Sequence, residues 1–231
     1  MTVIQNNNQS NLEPLTVEER ALIMGTLLGD AHLQKRGPKS YRLKVDHAID
    51  QAGLVLWKYR KLQRLCQLTQ PPKETTDKKG YKGLEFYTSS GVYLAEFHEL
   101  FYEYRKAPTG EKTVYVKRVT QKLVDNLPIH PTVLATFFMD DGSVRNDCYA
   151  GKIATQGFPL EDCHLLTQYL DKCGVTGSKV VPHTKKSGQY YLSLPAKSGT
   201  FEKLISIVEP IIREVPGMIY KLNEARKPRN D

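Results

Sequence analysis

Two stretches decide how this chain is read: "LIMGTLLGDAHL", Leu22–Leu33, and "VLATFFMDDGSV", Val133–Val144. Each is apolar and rich in small residues, with hardly a charge until an aspartate closes it. A helix start precedes the first, with Thr16 at a capping position and Glu18 and Glu19 in the first turn. Prolines open the second, and Gly142 after Asp141 is a natural stop. Aligning the two on Asp30 and Asp141 matches Gly25 with Thr136 and Gly29 with Asp140. Gly25 and Gly29 share one helical face, where the missing side chains let another backbone approach closely.

Packed side by side with the same polarity, the two helices would carry Asp30 and Asp141 to one place. Adjacent carboxylates raise each other's pKa unless a cation lies between them. A hard divalent cation bound by oxygen, Mg²⁺ above all, is the natural partner. Either segment alone reads as buried core; two of them, each opening one half of a repeat, point to a site.

That repeat is one of organisation. After the first apolar helix, "KSYRLKVDHAI" alternates as a strand, Tyr41, Leu43, Val45 and His47 on one face and Arg42, Lys44 and Asp46 on the other. "DQAGLVLWKYRKLQRLCQL" returns to helical spacing, with Leu54, Trp57, Leu62 and Leu65 for a core. "TQPPKETTDKKGYKG" reads as loop, "LEFYTSS" as strand, and "GVYLAEFHELFYEYR" as an amphipathic helix. Following a basic connector, "KAPTGEKTVYVKRVTQKL", the pattern starts again. "DCYAGKIATQG" is a strand, "PLEDCHLLTQYLDKCG" a helix stopped at Gly174, and "SKVVPHTKKSGQYYLSLP" a hairpin. "SGTFEKLISIVEPIIREV" and "PGMIYKLNEARK" read as closing helices. The boundaries expected are a polar tail over 1–15, one half over 16–120 and a second over 121–231.

The 231 residues suffice for two small halves with real cores. No apolar run is long enough for a membrane span, and the N-terminus has neither the basic start nor the apolar core of a secretory signal. Cysteines at 66, 148, 163 and 173 lack C-x-x-C spacing, so reduced thiols are expected and zinc is disfavoured. Lys and Arg outnumber Asp and Glu by 33 to 25, a net +8 that suits a polyanion. There is no G-x-x-x-x-G-K loop, and the six histidines form no metal-binding spacing; His32, His47, His98 and His164 read as packed or surface residues.

Ile23–Ala31, "IMGTLLGDA", and Leu134–Gly142, "LATFFMDDG", resemble the two motifs of a LAGLIDADG homing endonuclease, of the intron-encoded type with both halves in one chain. The similarity extends through "LLGDAHLQ", "FFMDDG", "TQGF" and "MIYKL", from residue 17 to residue 222. The resemblance implies an α+β fold: a pseudo-symmetric pair of αββαββα halves, motif helices at the interface, and two antiparallel DNA-binding sheets. It implies a monomer that cuts both strands of a long DNA target, with Mg²⁺ as cofactor and Mn²⁺ as a substitute. Asp30 and Asp141 would bind the metal, with Gly29 and Asp140 beside them as further candidates. Asp140 departs from the small residue usual there and reads as a supporting or capping group; Ala31 replaces a glycine.

Lys117 and Lys221 match lysines near the family's catalytic centre, with Arg118 competing for the first role because the alignment needs a one-residue gap. Gln156 is a weaker polar candidate. The DNA surface would include Arg42, Lys44, Lys152, Lys179, Lys185, Lys186 and Gln189 on strands and hairpin. Lys35 and Arg36 would join them from a loop, with Lys78, Lys79 and Lys82 as further backbone contacts. Host intron RNA is a second candidate partner, because an RNA-binding maturase on the same scaffold is the principal rival reading; a DNA-binding regulator without cleavage is a third. The compartment expected is an organelle or the bacterial cytoplasm, with no membrane partner.

Overall fold

The computed structural model describes residues 13–106 and 113–228. Most of the tail expected over 1–15, and the last residues of the second half, lie outside them. Two successive αββαββα units make up the described fold. The first runs α1 (Val17–Leu28), β1 (His32–Lys35), β2 (Tyr41–Ala48), α2 (Ala52–Lys61), β3 (Lys73–Thr76), β4 (Lys82–Tyr87) and α3 (Ala95–Phe101). A hairpin, β5 (Tyr102–Lys106) and β6 (Thr113–Lys117), and a short helix α4 (Gln121–Asn126) follow. The second unit runs α5 (Pro131–Asp141), β7 (Gly142–Val144), β8 (Gly151–Ala154), α6 (Leu160–Lys172), β9 (Lys179–Pro182), β10 (Tyr190–Leu194) and α7 (Thr200–Arg213).

The two four-stranded sheets have equivalent orders, β1-β2-β4-β3 and β7-β8-β10-β9, and every pairing is antiparallel. Their registers correspond as well. His32 pairs with Lys44 in the first sheet and Ser143 with Lys152 in the second, so β2 and β8 superpose residue by residue. Alternation along β2 is as the sequence predicts: Tyr41, Leu43, Val45 and His47 are buried and the residues between them part-exposed.

The motif helices are apolar because they are buried almost all round. A capping box between Thr16 and Glu19 starts α1, with Arg64 gripping the same glutamate. Pro131 starts α5. Glu18 accepts from the Thr132 hydroxyl at 2.7 Å near the helix starts, and Thr26 meets Asp140 near their ends, so the helices run parallel. A Cβ on Gly25 would collide with Thr136 and the Val133 carbonyl, and one on Gly29 would lie 2.5 Å from Asp140 Cβ. Leu22, Ile23, Leu27, Phe137 and Phe138 are sealed in the surrounding core, each worth about 1.5–3 kcal/mol.

Several elements differ from the sequence expectation; α4 begins inside the stretch that reads as a connector, and β1 and β7 are further strands after the motif helices. The helix expected over 91–105 ends at Phe101, because "YEYRK" alternates and pairs as β5 with β6. Lys73–Thr76, expected as loop, is an edge strand on β4, favoured by its β-branched threonines. "PGMIYKLNEARK" forms only short 3-10 turns, since Gly217 at φ +80° breaks the chain direction and Asn223 takes a left-handed conformation.

Candidate active site

Asp30 follows the end of α1, and Asp141 is the last residue of α5. Parallel packing of these helices delivers both carboxylates to one region. Burial pushes the Asp141 carboxyl up to about 7, and repulsion from Asp30 and Asp140 adds to it. Asp30 is raised too, by burial first and then by Asp140. Among the described residues no hydrogen bond or ion pair holds the Asp141 carboxylate. Crowded, destabilised carboxylates of this kind are short of a positive charge, and their all-oxygen chemistry fits a hard divalent cation.

Asp140 and Gly29, the other expected metal ligands, have partners inside the protein. Gly29 offers its carbonyl to Lys117 Nζ at 2.7 Å. The Asp140 side chain is fully buried, with Oδ1 2.6 Å from Lys58 Nζ and Oδ2 accepting from the Thr26 hydroxyl at 3.1 Å. Asp140 is thus the acidic member of a buried ion pair between the two halves. His47 stands beside it, Nε2 3.5 Å from Asp140 Oδ1 and Nδ1 3.4 Å from Asp30 Oδ2. Asp30, His47 and Asp140 each bring one possible ligand atom within 4.8 Å of the others.

Lys117 and Lys221 approach the helix ends from opposite halves. Lys221 Nζ donates to the Gly142 carbonyl, next to Asp141, and lies over the Phe138 ring. Burial lowers both amines, Lys117 to about 8 despite the pull of Asp141, Asp140 and Asp30. Arg118, the rival to Lys117, turns away and clamps Asp162 through two bonds of 2.8 Å. Gln156 lines a concavity on the second sheet with Lys152, His183 and Tyr191.

On the first sheet Arg42 is held at 2.9 Å by Gln34 Oε1 and stacks 3.9 Å over Tyr87. Lys44 is tied into ion pairs with Glu85 at 3.2 Å and Asp46 at 3.4 Å. Lys152 and Lys179 flank Ser193 across the second sheet. Lys185 and Lys186 are exposed at the hairpin tip, with Gln189 beside them; Lys35, expected in a loop, is the exposed last residue of β1, paired with Tyr41, and Arg36 is exposed just after it. Lys78 and Lys79 are exposed in the loop as expected, and Lys82, expected there too, is the exposed first residue of β4, paired with Thr76.

Lys58 and His47 were not singled out from the sequence. The signal available was a lysine within the buried register of α2, between Leu54 and Leu62, together with an unexplained aspartate inside an apolar motif. The 82 residues that separate Lys58 from Asp140 hid their pairing.

Comparison with known proteins gives a consistent picture. The profile described as "LAGLIDADG DNA endonuclease family" matches residues 20–201. The chain is 26% identical over 230 residues to the DNA endonuclease I-ChuI of Chlamydomonas applanata, covering 92% of this chain and 98% of that one. It is 28% identical over 222 residues to the cytochrome b mRNA maturase bI2 of Saccharomyces cerevisiae, covering 92% of this chain but 49% of the maturase. Among solved structures, the homing endonuclease I-WcaI bound to its DNA recognition sequence aligns with a TM-score of 0.73 at 20% identity, over 91% of this chain and 88% of that one. That last likeness concerns the fold.

Proposed function

Since the chain belongs to the LAGLIDADG DNA endonuclease family, we propose that it is an intron-encoded homing endonuclease making a metal-dependent double-strand break with short 3′ overhangs. The observation that carries this reading is the convergence of Asp30 and Asp141 at the ends of two parallel buried helices. Both halves of the site lie in one chain, so a monomer suffices. Mg²⁺ is the proposed cofactor, with Mn²⁺ as a substitute, and Asp30 and Asp141 would hold it. When bound, such an ion supplies an activated water and neutralises charge on the scissile phosphate.

The protein's own groups have separate tasks. Lys117 and Lys221 hold ammonium charge beside the aspartates, where negative charge grows during phosphodiester hydrolysis. Their bonds to the Gly29 and Gly142 carbonyls fix where that charge stands. Double-stranded DNA would lie along the two sheets. Arg42, braced by Gln34 and Tyr87, is preorganised to read a base edge. Lys44, Lys152, Lys179, Lys185, Lys186 and Gln189 would serve backbone and bases, with Lys35 at the end of β1 and Arg36 beside it. An organelle or the bacterial cytoplasm is the proposed compartment, in keeping with four free cysteines.

The test is cleavage of a plasmid carrying the intron-insertion junction. Asp30→Asn and Asp141→Asn should each lower double-strand cleavage by at least about a hundredfold, the scale of losing one electrostatic group, while DNA binding persists. Full activity in either variant would sink the mechanism. Similarity to the yeast maturase supports a second reading, an RNA-binding maturase that assists splicing of its host intron. A splicing assay with host intron RNA, run beside the cleavage assay, separates the two.

A further inference from the structure

A carboxylate buried between two helices is costly unless it is paired and fully hydrogen-bonded. Asp140 meets that need through Lys58, whose side chain is 0% exposed. An ammonium has three N–H groups and no acceptor. Three acceptors surround Lys58 Nζ: Asp140 Oδ1 at 2.6 Å, Thr26 Oγ1 at 2.6 Å and His47 Nε2 at 3.2 Å. The Thr26 hydroxyl, accepting from Lys58, passes its own hydrogen to Asp140 Oδ2.

This arrangement dictates the histidine tautomer. Nε2 lies 3.2 Å from the ammonium and 3.5 Å from Asp140 Oδ1; accepting from the nearer ammonium satisfies its third N–H, and the neutral ring then carries its hydrogen on Nδ1. Nδ1 stands 3.4 Å from Asp30 Oδ2, an ion-pair distance, while Gln51 hydrogen-bonds the ring. The polarity therefore runs one way, from Lys58 through His47 to Asp30. Oδ2 of Asp30 is the oxygen nearest the ring, and the side chain remains 46% exposed.

We propose that Lys58 and His47 are positioning residues for Asp30: Lys58 sets the His47 tautomer, and His47 Nδ1–H orients the carboxylate for catalysis at that helix end alone. The claim rests on the cleavage reading above. It is one-sided because the second half lacks these groups. Counting on from the matched lysines, Thr155, just past the end of β8, falls where His47 does, three residues beyond Lys152 as His47 is beyond Lys44. Thr155 bonds the Tyr190 carbonyl and the Cys163 thiol instead. The same offset puts Leu166 at the place of Lys58, and 54, 55, 58 and 62 are buried as 162, 163, 166 and 170 are, whereas Trp57 and Tyr169 are buried on one helix only. Groups that orient a metal-binding carboxylate in this way typically change affinity or activity by about 10–100-fold.

Two measurements on the full chain test this. In metal-free protein labelled with ¹⁵N-histidine, long-range proton–nitrogen correlations should report His47 as the Nδ1–H tautomer, and Lys58→Met should shift it towards Nε2–H. If Lys58→Met does not fold, Lys58→Met with Asp140→Leu removes both buried charges and reads the same tautomer. On a supercoiled plasmid bearing the target, His47→Ala should slow one strand by about 10–100-fold. Nicked circles should then accumulate, the uncut strand being the one most affected by Asp30→Asn, and His47→Gln, which keeps a donor, should recover part of the rate. An Nε2–H tautomer in the unaltered protein, or equal slowing of both strands by His47→Ala, would overturn the proposal. A plasmid left uncut by the unaltered protein would instead overturn the cleavage reading, and with it the role of the relay.

Discussion

The two helix ends occupy matched places in matched halves, yet they are furnished differently. Around Asp30 lie His47, Lys58, Thr26 and Asp140, a buried polar network with its donors and acceptors engaged. Around Asp141 the protein supplies the charge of Lys117, Lys221 on the neighbouring carbonyl, and no hydrogen bond to the carboxylate among the described residues. The fold is thus more symmetric than its chemistry. Asp140 is the source of the difference: at its symmetry mate, Gly29, only a hydrogen stands, and the carboxylate of one half needs a cation from the other. A small-residue contact has become a polar lock between halves, at the cost of desolvating two charges.

That contrast is most easily broken at Lys58. Lys58→Met leaves Asp140 buried without its cation, a loss of about 3–5 kcal/mol. For a chain of this size that lowers the melting temperature by about 10 °C. Adding Asp140→Leu should restore most of it, because an apolar pair of similar volume replaces the ion pair; thermal unfolding of the two variants checks this. A double variant no more stable than Lys58→Met would mean the pair is not the lock.

A smaller effect belongs to the other end. In metal-free protein the Asp141 carboxyl titrates near 7 against an ordinary 3.8, so the native state holds more protons than the unfolded chain between those values. Stability should fall as pH rises through that window, with the loss complete just above 7. Melting temperatures at pH 5 and pH 7.5 would show it, and Asp141→Asn should flatten the difference. Added Mg²⁺, binding the ionised pair, should recover stability at the higher pH. The smallest change is expected at the sheets: Lys152→Ala should weaken DNA binding modestly and reduce the slope of log affinity against log salt by about 1.

Much of the fold was legible because its signals are local. The capping residues at Thr16, the alternation of Tyr41, Leu43, Val45 and His47, and the stop at Gly174 each depend on a few neighbours. Gly25 and Gly29 announced a close helix contact, and Gly25 does meet Thr136 and Val133. The strand at Lys73–Thr76 was missed because an edge strand with little apolar content is defined by its partner β4 rather than by its own pattern. The turns after Pro216 were over-read as helix because apolar spacing persists there while Gly217 redirects the backbone.

For the site, the sequence by itself determined that two aspartates end two buried helices, since a repeated apolar pattern closed by an acid survives without coordinates. His47 was visible only as a core-facing strand residue, and Lys58 only as one lysine in a basic chain. What each does depends on three-dimensional proximity. Asp140 lies 82 residues from Lys58 and 114 from Thr26, and hydrogen-bond direction becomes readable only when all three acceptors surround one ammonium. Periodicity tells which face of an element is buried; which charge waits on the other side of that burial is a property of the packed chain.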